Sequence, residues 1–360
     1  MKKLSDILLF TLLLCAVFFI SSCRKEPEYY TFRDFAAIPK TDVHLHINSS
    51  DPVFMEMAEK YNFRVVSPNV DSRLPLDEQL GTASSIARAW PGKFTFLGTF
   101  AVGNYGKPGF ADEIISRIDS CMKEGAAGIK IWKNIGMVLK DSIGNYVMVD
   151  DPAFDKVFRH MEEKNIPVMG HLGEPKNCWL PLNEMTDSSN FRYYKSNPVY
   201  HMYLHPEAPS YDDQINSRDN LLKKFPGLQF TASHLASLEW SVDEIAERLD
   251  LYPNMTIDVS ARVAHLQYQS IVDPERVRNF LIRYQDRIMY GTDITVNPVE
   301  NNPESKAQQV IDRWISNWVW FATDSTQIIR NLPGDVKGMH LPRDVIDKIY
   351  YSNSEIYFTK

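Results

Sequence analysis

Eight short apolar runs, each followed by a longer amphipathic stretch, set the strongest constraint on what this chain can become. They fall at 41–47 (TDVHLHI), 63–69 (FRVVSPN), 94–101 (FTFLGTFA), 127–132 (AGIKIW), 166–171 (IPVMGH), 228–234 (LQFTASH), 254–260 (NMTIDVS) and 287–293 (RIMYGTD). Helical spacing fills the gaps, as at 51–61, 110–124, 151–164 and 242–251. Strands alternating with helices point to a parallel sheet with crossover helices. Eight such units match a closed (β/α)8 TIM barrel in the α/β class, with a doubly wound open sheet as the alternative. Asp151-Pro152 and Asp273-Pro274 each place an N-cap before a proline at the first helical position. Leu341-Pro342-Arg343-Asp344 opens a final helix. With 360 residues, the chain is long enough for one such domain.

The first residues lie outside this pattern. Lys2 and Lys3 precede an apolar run from Ile7 to Ile20, too short for a comfortable membrane span. The run ends in Ile20-Ser21-Ser22-Cys23, which resembles a bacterial lipobox. That resemblance implies that residues 1–22 are a signal peptide and that Cys23 carries a lipid anchor to the membrane. A plain secretory signal or an uncleaved anchor is the alternative. Residues 23–38 read as a tether, leaving 39–360 for the barrel. Arg24 follows Cys23, with no Asp to retain the protein at an inner membrane. The expected location is therefore an exported lipoprotein on the periplasmic or cell-surface side, with the outer membrane favoured. Cys121 and Cys178 make no disulfide framework, and Cys121 falls in a helix as a small core residue. A net charge of -7 argues against nucleic acid as a partner.

The chemistry gathers at strand ends. Side chains alternate along a strand, so Asp42, His44 and His46 are expected on one face and Val43, Leu45 and Ile47 on the other. Two imidazoles two residues apart can converge on one ion. His-x-His alone is weak, but buried imidazoles need partners. The fifth run ends in His171, the sixth in His234 and the eighth in Asp293. Four histidines and an aspartate at one barrel level indicate a metal site. The long segment after His171 is rich in tyrosine and sits where barrel active sites form, as a lid or as packing.

These residues resemble the amidohydrolase superfamily. The runs at 284–293 (YQDRIMYGTD) and 341–350 (LPRDVIDKIY), the latter followed by Asn353, are similar to its amidohydrolase-related branch. That branch includes aminocarboxymuconate-semialdehyde decarboxylase and 2-pyrone-dicarboxylate lactonase. The resemblance spans residues 40–358 and marks superfamily, not substrate. It implies that His44, His46, His171 and Asp293 ligate one divalent ion, most often Zn2+. It also implies that His234 polarises the substrate or positions a water, and that Asp293 moves the water's proton to the leaving group. In other branches a lysine at the position of Lys130 is carbamylated and bridges two metals, with His234 as a ligand. The related branch has one metal, so one is expected here. The alternative for Lys130 is an unmodified cation paired with Asp42 or Asp293.

Arg262, just past the seventh run, is placed to hold a substrate carboxylate through a bidentate contact. Lys133 and Glu174, in loops over the same face, are further candidates for substrate binding, as is Lys176 with less weight, and plain solvation of such loop charges is the alternative. No phosphate-cradling glycine loop and no Gly-x-Ser-x-Gly elbow occurs. The leading expectation is a metal-dependent hydrolase of a C–O or C–N bond in a small molecule, a lactone, ester or amide. A non-oxidative decarboxylase on the same site is the first alternative, and a non-catalytic ligand-binding lipoprotein the second.

Overall fold

A computed structural model describes residues 28–358 apart from Arg73, Thr186, Asp187 and Asn331. The expected signal peptide and Cys23 lie outside the described residues. Each apolar run contains a strand: β1 (Lys40–Asp42), β2 (Phe63–Pro68), β3 (Phe94–Gly98), β4 (Gly128–Ile131), β5 (Val168–Gly170), β6 (Phe230–Ala232), β7 (Met255–Asp258) and β8 (Ile288–Met289). They pair in parallel in chain order. The Val43 N–H donates to Tyr290 O at 2.9 Å, and His46–Ile47 pairs in parallel with Thr295–Val296. The first and last strands therefore meet, and the sheet curls into the (β/α)8 barrel. Asp151 and Asp273 both cap as expected, their carboxylates accepting from Ala153 N and Arg276 N.

Alternation along the strands sorts the core into two. Phe63, Val65, Phe96, Ile129, Val168, Phe230, Ile257 and Ile288 join the large cluster shared with the helices. Val66, Leu97, Met169 and Met289 point the other way and pack with Val43 and Phe358 in a separate cluster, the fill of the barrel. Phe358 comes from the last helix, Asn353–Phe358, whose Ser354 hydroxyl donates to Thr41 Oγ1 at 2.8 Å. The last helix thus closes the end of the barrel opposite the strands' carboxyl ends. Cys121 and Cys178 are buried and unbridged. From Tyr29 onward the segment read as a tether lies along the barrel. Tyr30 is buried with its hydroxyl on Asp347 at 2.8 Å, and Phe35 packs against Phe63 and Trp318.

One expectation is corrected. Asp42, His44 and His46 do not share a face. Val43 packs inside the barrel, so Asp42 faces the helix layer, where the Trp314 indole N–H donates to it at 2.9 Å. The ladder is interrupted between Asp42 and His46, and across that break the phase slips. His44 and His46 then turn inward, while Leu45 and Ile47 keep to the helix side. Asp42 also accepts from His44 N (3.1 Å), Thr292 N (3.1 Å) and Thr292 Oγ1 (2.7 Å).

Trp314→Phe keeps an aromatic ring near Phe63, against which Trp314 stacks at 3.9 Å, but removes a donor from a buried carboxylate. The expected loss is about 1–3 kcal/mol, read from the urea midpoint. An unchanged midpoint would mean that the indole bond adds nothing.

Candidate metal centre

The carboxyl ends of the strands deliver the polar side chains, each on the phase already set by its neighbours. Lys130 alternates with Ile129, His171 shares the phase of Met169, and Asp258 shares that of Thr256, whose hydroxyl meets that of Thr231 on the neighbouring strand at 2.9 Å.

Hydrogen bonds choose the tautomers. His46 Nδ1 lies 2.8 Å from Pro68 O, which only accepts, so this nitrogen carries the proton. His44 Nδ1 lies 3.1 Å from Asp258 Oδ2, which imposes the same choice. In the neutral form of each ring Nε2 is then bare, and both face Asp293, whose Oδ1 lies 3.4 Å from His44 and 3.2 Å from His46. These three atoms all lie within 4.8 Å of one another. Three facing acceptors repel unless a cation joins them, and two imidazoles with a carboxylate suit a divalent ion. The residues present fit one.

The same logic runs through the other two histidines. His234 Nδ1 donates to Ser260 O at 3.0 Å, leaving Nε2 to accept from His171 Nδ1 at 3.2 Å. His171 is left with a bare Nε2, buried and without a hydrogen-bond partner among the described residues. His171 is thus set beside His234 rather than within the His44–His46–Asp293 group, though it offers a ligand's lone pair. Burial pushes the His44 and His171 rings down and His234 down to about 3, so these imidazoles are neutral, the form that ligates. Burial works to raise the Asp293 carboxyl, but the His234, His46 and His44 rings, in their protonated forms, outweigh it and hold the group well below its usual range.

Lys130 is fully buried. Its Nζ donates to Ser233 Oγ at 2.8 Å and lies 3.3 Å from His44 Nε2, rather than on Asp42. Burial pushes its ammonium down to about 8, against the pull of Asp258 and Asp293. A second group, His44, His234 and Asp258, also has metal-ligand spacing. There the nitrogens are both Nδ1, engaged with Asp258, Ser260 Oγ or Ser260 O, so hydrogen bonds explain it.

Above this floor lies a layer of loop side chains. Lys133 and Glu174, the substrate-binding candidates of the sequence, are not solvated but form a buried ion pair, which the Tyr194 hydroxyl joins at 3.4 Å. Burial would lower Lys133, but Glu174 and Tyr193 raise it above its ordinary value. The Arg262 side chain is 11% exposed, with Nη2 3.9 Å from Glu174 Oε2. Its guanidinium makes one hydrogen bond among the described residues, to Ala261 O at 3.2 Å, and its Nε has none. The tyrosine-rich segment after His171 packs as a small core of its own, with Met137, Cys178, Tyr194 and Met202. Lys176 lies over the Trp240 ring at 4.2 Å.

Asp258 and Ser260 were missed in the sequence. Asp258 accepts from His234 N and Ser260 N, both at 3.0 Å, as well as meeting His44. Burial would raise it, but His44, then His234 and Lys130, hold it below its usual range. The alternation that singles out His171 places Asp258 inward in the same way, so the signal was present. Asp258→Asn is expected to weaken zinc binding by about 10–100-fold, measured by competition with a chromophoric chelator. Unchanged affinity would remove Asp258 from any role in orienting His44.

A family model described as Amidohydrolase matches residues 79–357, a span that includes His171, His234 and Asp293 and begins after His46. No curated protein matches the chain. Among solved structures, 5-carboxyvanillate decarboxylase from Sphingomonas paucimobilis aligns at 15% identity and a TM-score of 0.44, over 87% of this chain and 83% of that one. For 4-oxalomesaconate hydratase from Rhodopseudomonas palustris the values are 12%, 0.47, 89% and 95%. For dihydroorotase from Saccharomyces cerevisiae they are 11%, 0.43, 89% and 86%. Likenesses this loose identify no reaction.

Proposed function

The chain belongs to the amidohydrolase family, and from that premise we propose that it hydrolyses a C–O or C–N bond in a small molecule, a lactone, ester or amide, with the aid of one divalent ion. The observation that carries this reading is the convergence of bare His44 Nε2, His46 Nε2 and Asp293 Oδ1 on one point. These residues would hold the ion, with His171 Nε2 as the fourth donor, and the set suits zinc. A bound ion would polarise the scissile carbonyl and make a water acidic near pH 7.

The chain's own groups supply the rest. Asp293 is ionised and its side chain is 30% exposed, so it stands at the mouth of the site. Its carboxylate takes a proton from water and returns it to the leaving group. His234 donates from Nδ1 to Ser260 O and accepts at Nε2, so its role is to orient His171. Arg262 has donors to spare and Lys133 a partner in Glu174, so Arg262 is the group that receives a substrate carboxylate.

That spare guanidinium favours a second reading, non-oxidative decarboxylation of a carboxylated substrate. Release of carbon dioxide without consumption of water would select it. The Cys23 anchor and export are part of the same proposal. Labelling with radioactive palmitate is expected in the wild type and not in Cys23→Ser, and label retained in Cys23→Ser would remove the anchor.

The deciding experiment is elemental analysis of protein purified without chelators. About one zinc per chain is expected, absent from the His44→Ala/His46→Ala double variant. No metal after incubation with excess zinc would sink both catalytic readings and leave a binding protein.

A further inference from the structure

We infer that the helix Tyr211–Lys224 is a positioning device for the metal centre: Tyr211 and Arg218 hold a left-handed turn that aims His234. The inference rests on the proposed site only in taking His234 and His171 as parts of it.

The residues after β6 do something unusual. His234, Leu235, Ala236 and Ser237 have φ of +61°, +56°, +58° and +56°. The left-handed region crowds a Cβ against the backbone, and single Gly, Asn or Asp residues are its usual occupants. Here four successive residues of other types occupy it. Such a turn persists only where its surroundings over-determine it.

The surroundings account for every carbonyl of the turn. The carbonyls of His234 and Leu235 accept from Ser237 N at 3.1 Å and Leu238 N at 3.0 Å. The carbonyl of Ala236 accepts from the Arg218 guanidinium, and that of Ser237 from the Tyr211 hydroxyl at 2.6 Å. The Ser237 hydroxyl donates to Leu172 O at 3.1 Å, one residue beyond His171. Tyr211 and Arg218 are seven residues apart, two turns of one helix face. Between them Gln214 Nε2 donates to Gly136 O at 2.7 Å, in the loop after β4 that carries Lys133. One helix face thus grips the connections after β4 and β6.

Arg218 is 1% exposed, and burying a guanidinium is costly unless its donors are used. Its Nε and Nη2 bond Asp219 Oδ1 at 3.0 and 2.7 Å, and Arg248 meets the other oxygen of Asp219 at 3.4 Å. The charge is balanced by its neighbours, which leaves Nη1 for the turn. At the turn's start, His234 N donates to Asp258 and its Nδ1 to Ser260 O. Clamped at both ends, the ring directs Nε2 at His171.

A merely structural role predicts lost stability and an unmoved ring. The test is the His234 Nδ1–H signal in NMR of 15N-labelled protein without metal, assigned by its absence from His234→Gln. In Arg218→Met this signal is expected to shift and to exchange with water at least about tenfold faster. The His46 Nδ1–H signal, held by Pro68 O, should stay in place and serves as the internal control. Should Arg218→Met fail to fold, Tyr211→Phe removes a single oxygen and is expected to act in the same direction. A lower melting temperature with the His234 signal unmoved in whichever variant folds would overturn the inference. A wild type that binds no zinc overturns the hydrolase reading and not this one, because the signal is read without metal.

Discussion

The Asp42 carboxylate, wholly buried, accepts from four donors on three parts of the chain: His44 N, the backbone and hydroxyl of Thr292, and the Trp314 indole. Burial pushes this carboxyl up to about 6 even so, with the four hydrogen bonds pulling the other way. The positions it joins are those the rest depends on. His44 and His46 follow β1, Asp293 follows β8, and these are the strands that must meet for the barrel to close. Asp293 N donates back to His44 O at 2.6 Å. Closing the barrel and bringing two imidazoles to a carboxylate are therefore one event.

Strand positions were legible because their signal is local: apolar runs of the right length, with Asp-Pro caps between them. His171 and Asp293 stood out as the polar residues that end apolar runs, and Lys130 by its phase along the fourth run. Phase misplaced Asp42, because the slip between it and His46 is caused from far away. His46 N bonds Ile294 O, at the other end of the barrel seam, and no local pattern announces that contact. The burial of Lys133 and Glu174 was hidden for a similar reason. It depends on how the segment carrying Tyr193 and Tyr194 folds back, and loop conformation leaves little periodicity to read. The left-handed turn at His234-Leu235-Ala236-Ser237 contains no glycine, so its backbone left no mark in composition either.

Two kinds of order meet at the site. The floor is set by strands, whose register allows little adjustment, and its hydrogen bonds specify which nitrogen of each ring is bare. The layer above is set by loops and by one helix, Tyr211–Lys224, that reaches two of them. Groups on strand ends gain precision from the sheet, whereas groups on loops are open to change. Arg262 and Glu174 are of the second kind, and His44, His46 and Asp293 of the first. His234 lies between them, rooted in β6 and β7 through Asp258 and Ser260 but shaped by the helix.

Charge then decides what this arrangement can receive. With the imidazoles in the neutral form that ligates, Asp258 and Asp293 ionised and Lys130 protonated, the floor would carry one negative charge in excess. On the proposed reading a single divalent ion reverses that to one positive charge. Two such ions beside a protonated Lys130 would leave three positive charges in a buried space, which desolvation penalises heavily. Lys130 donates to Ser233 and faces the same nitrogen of His44 that faces Asp293, so its amine stands where a second ion's charge would lie. The layer above adds Lys133 and Arg262 against Glu174, again one positive charge in excess. On that proposed reading floor and layer together would suit a substrate with negative charge at the scissile end or beside it, and the uncommitted donors of Arg262 mark where that charge would rest.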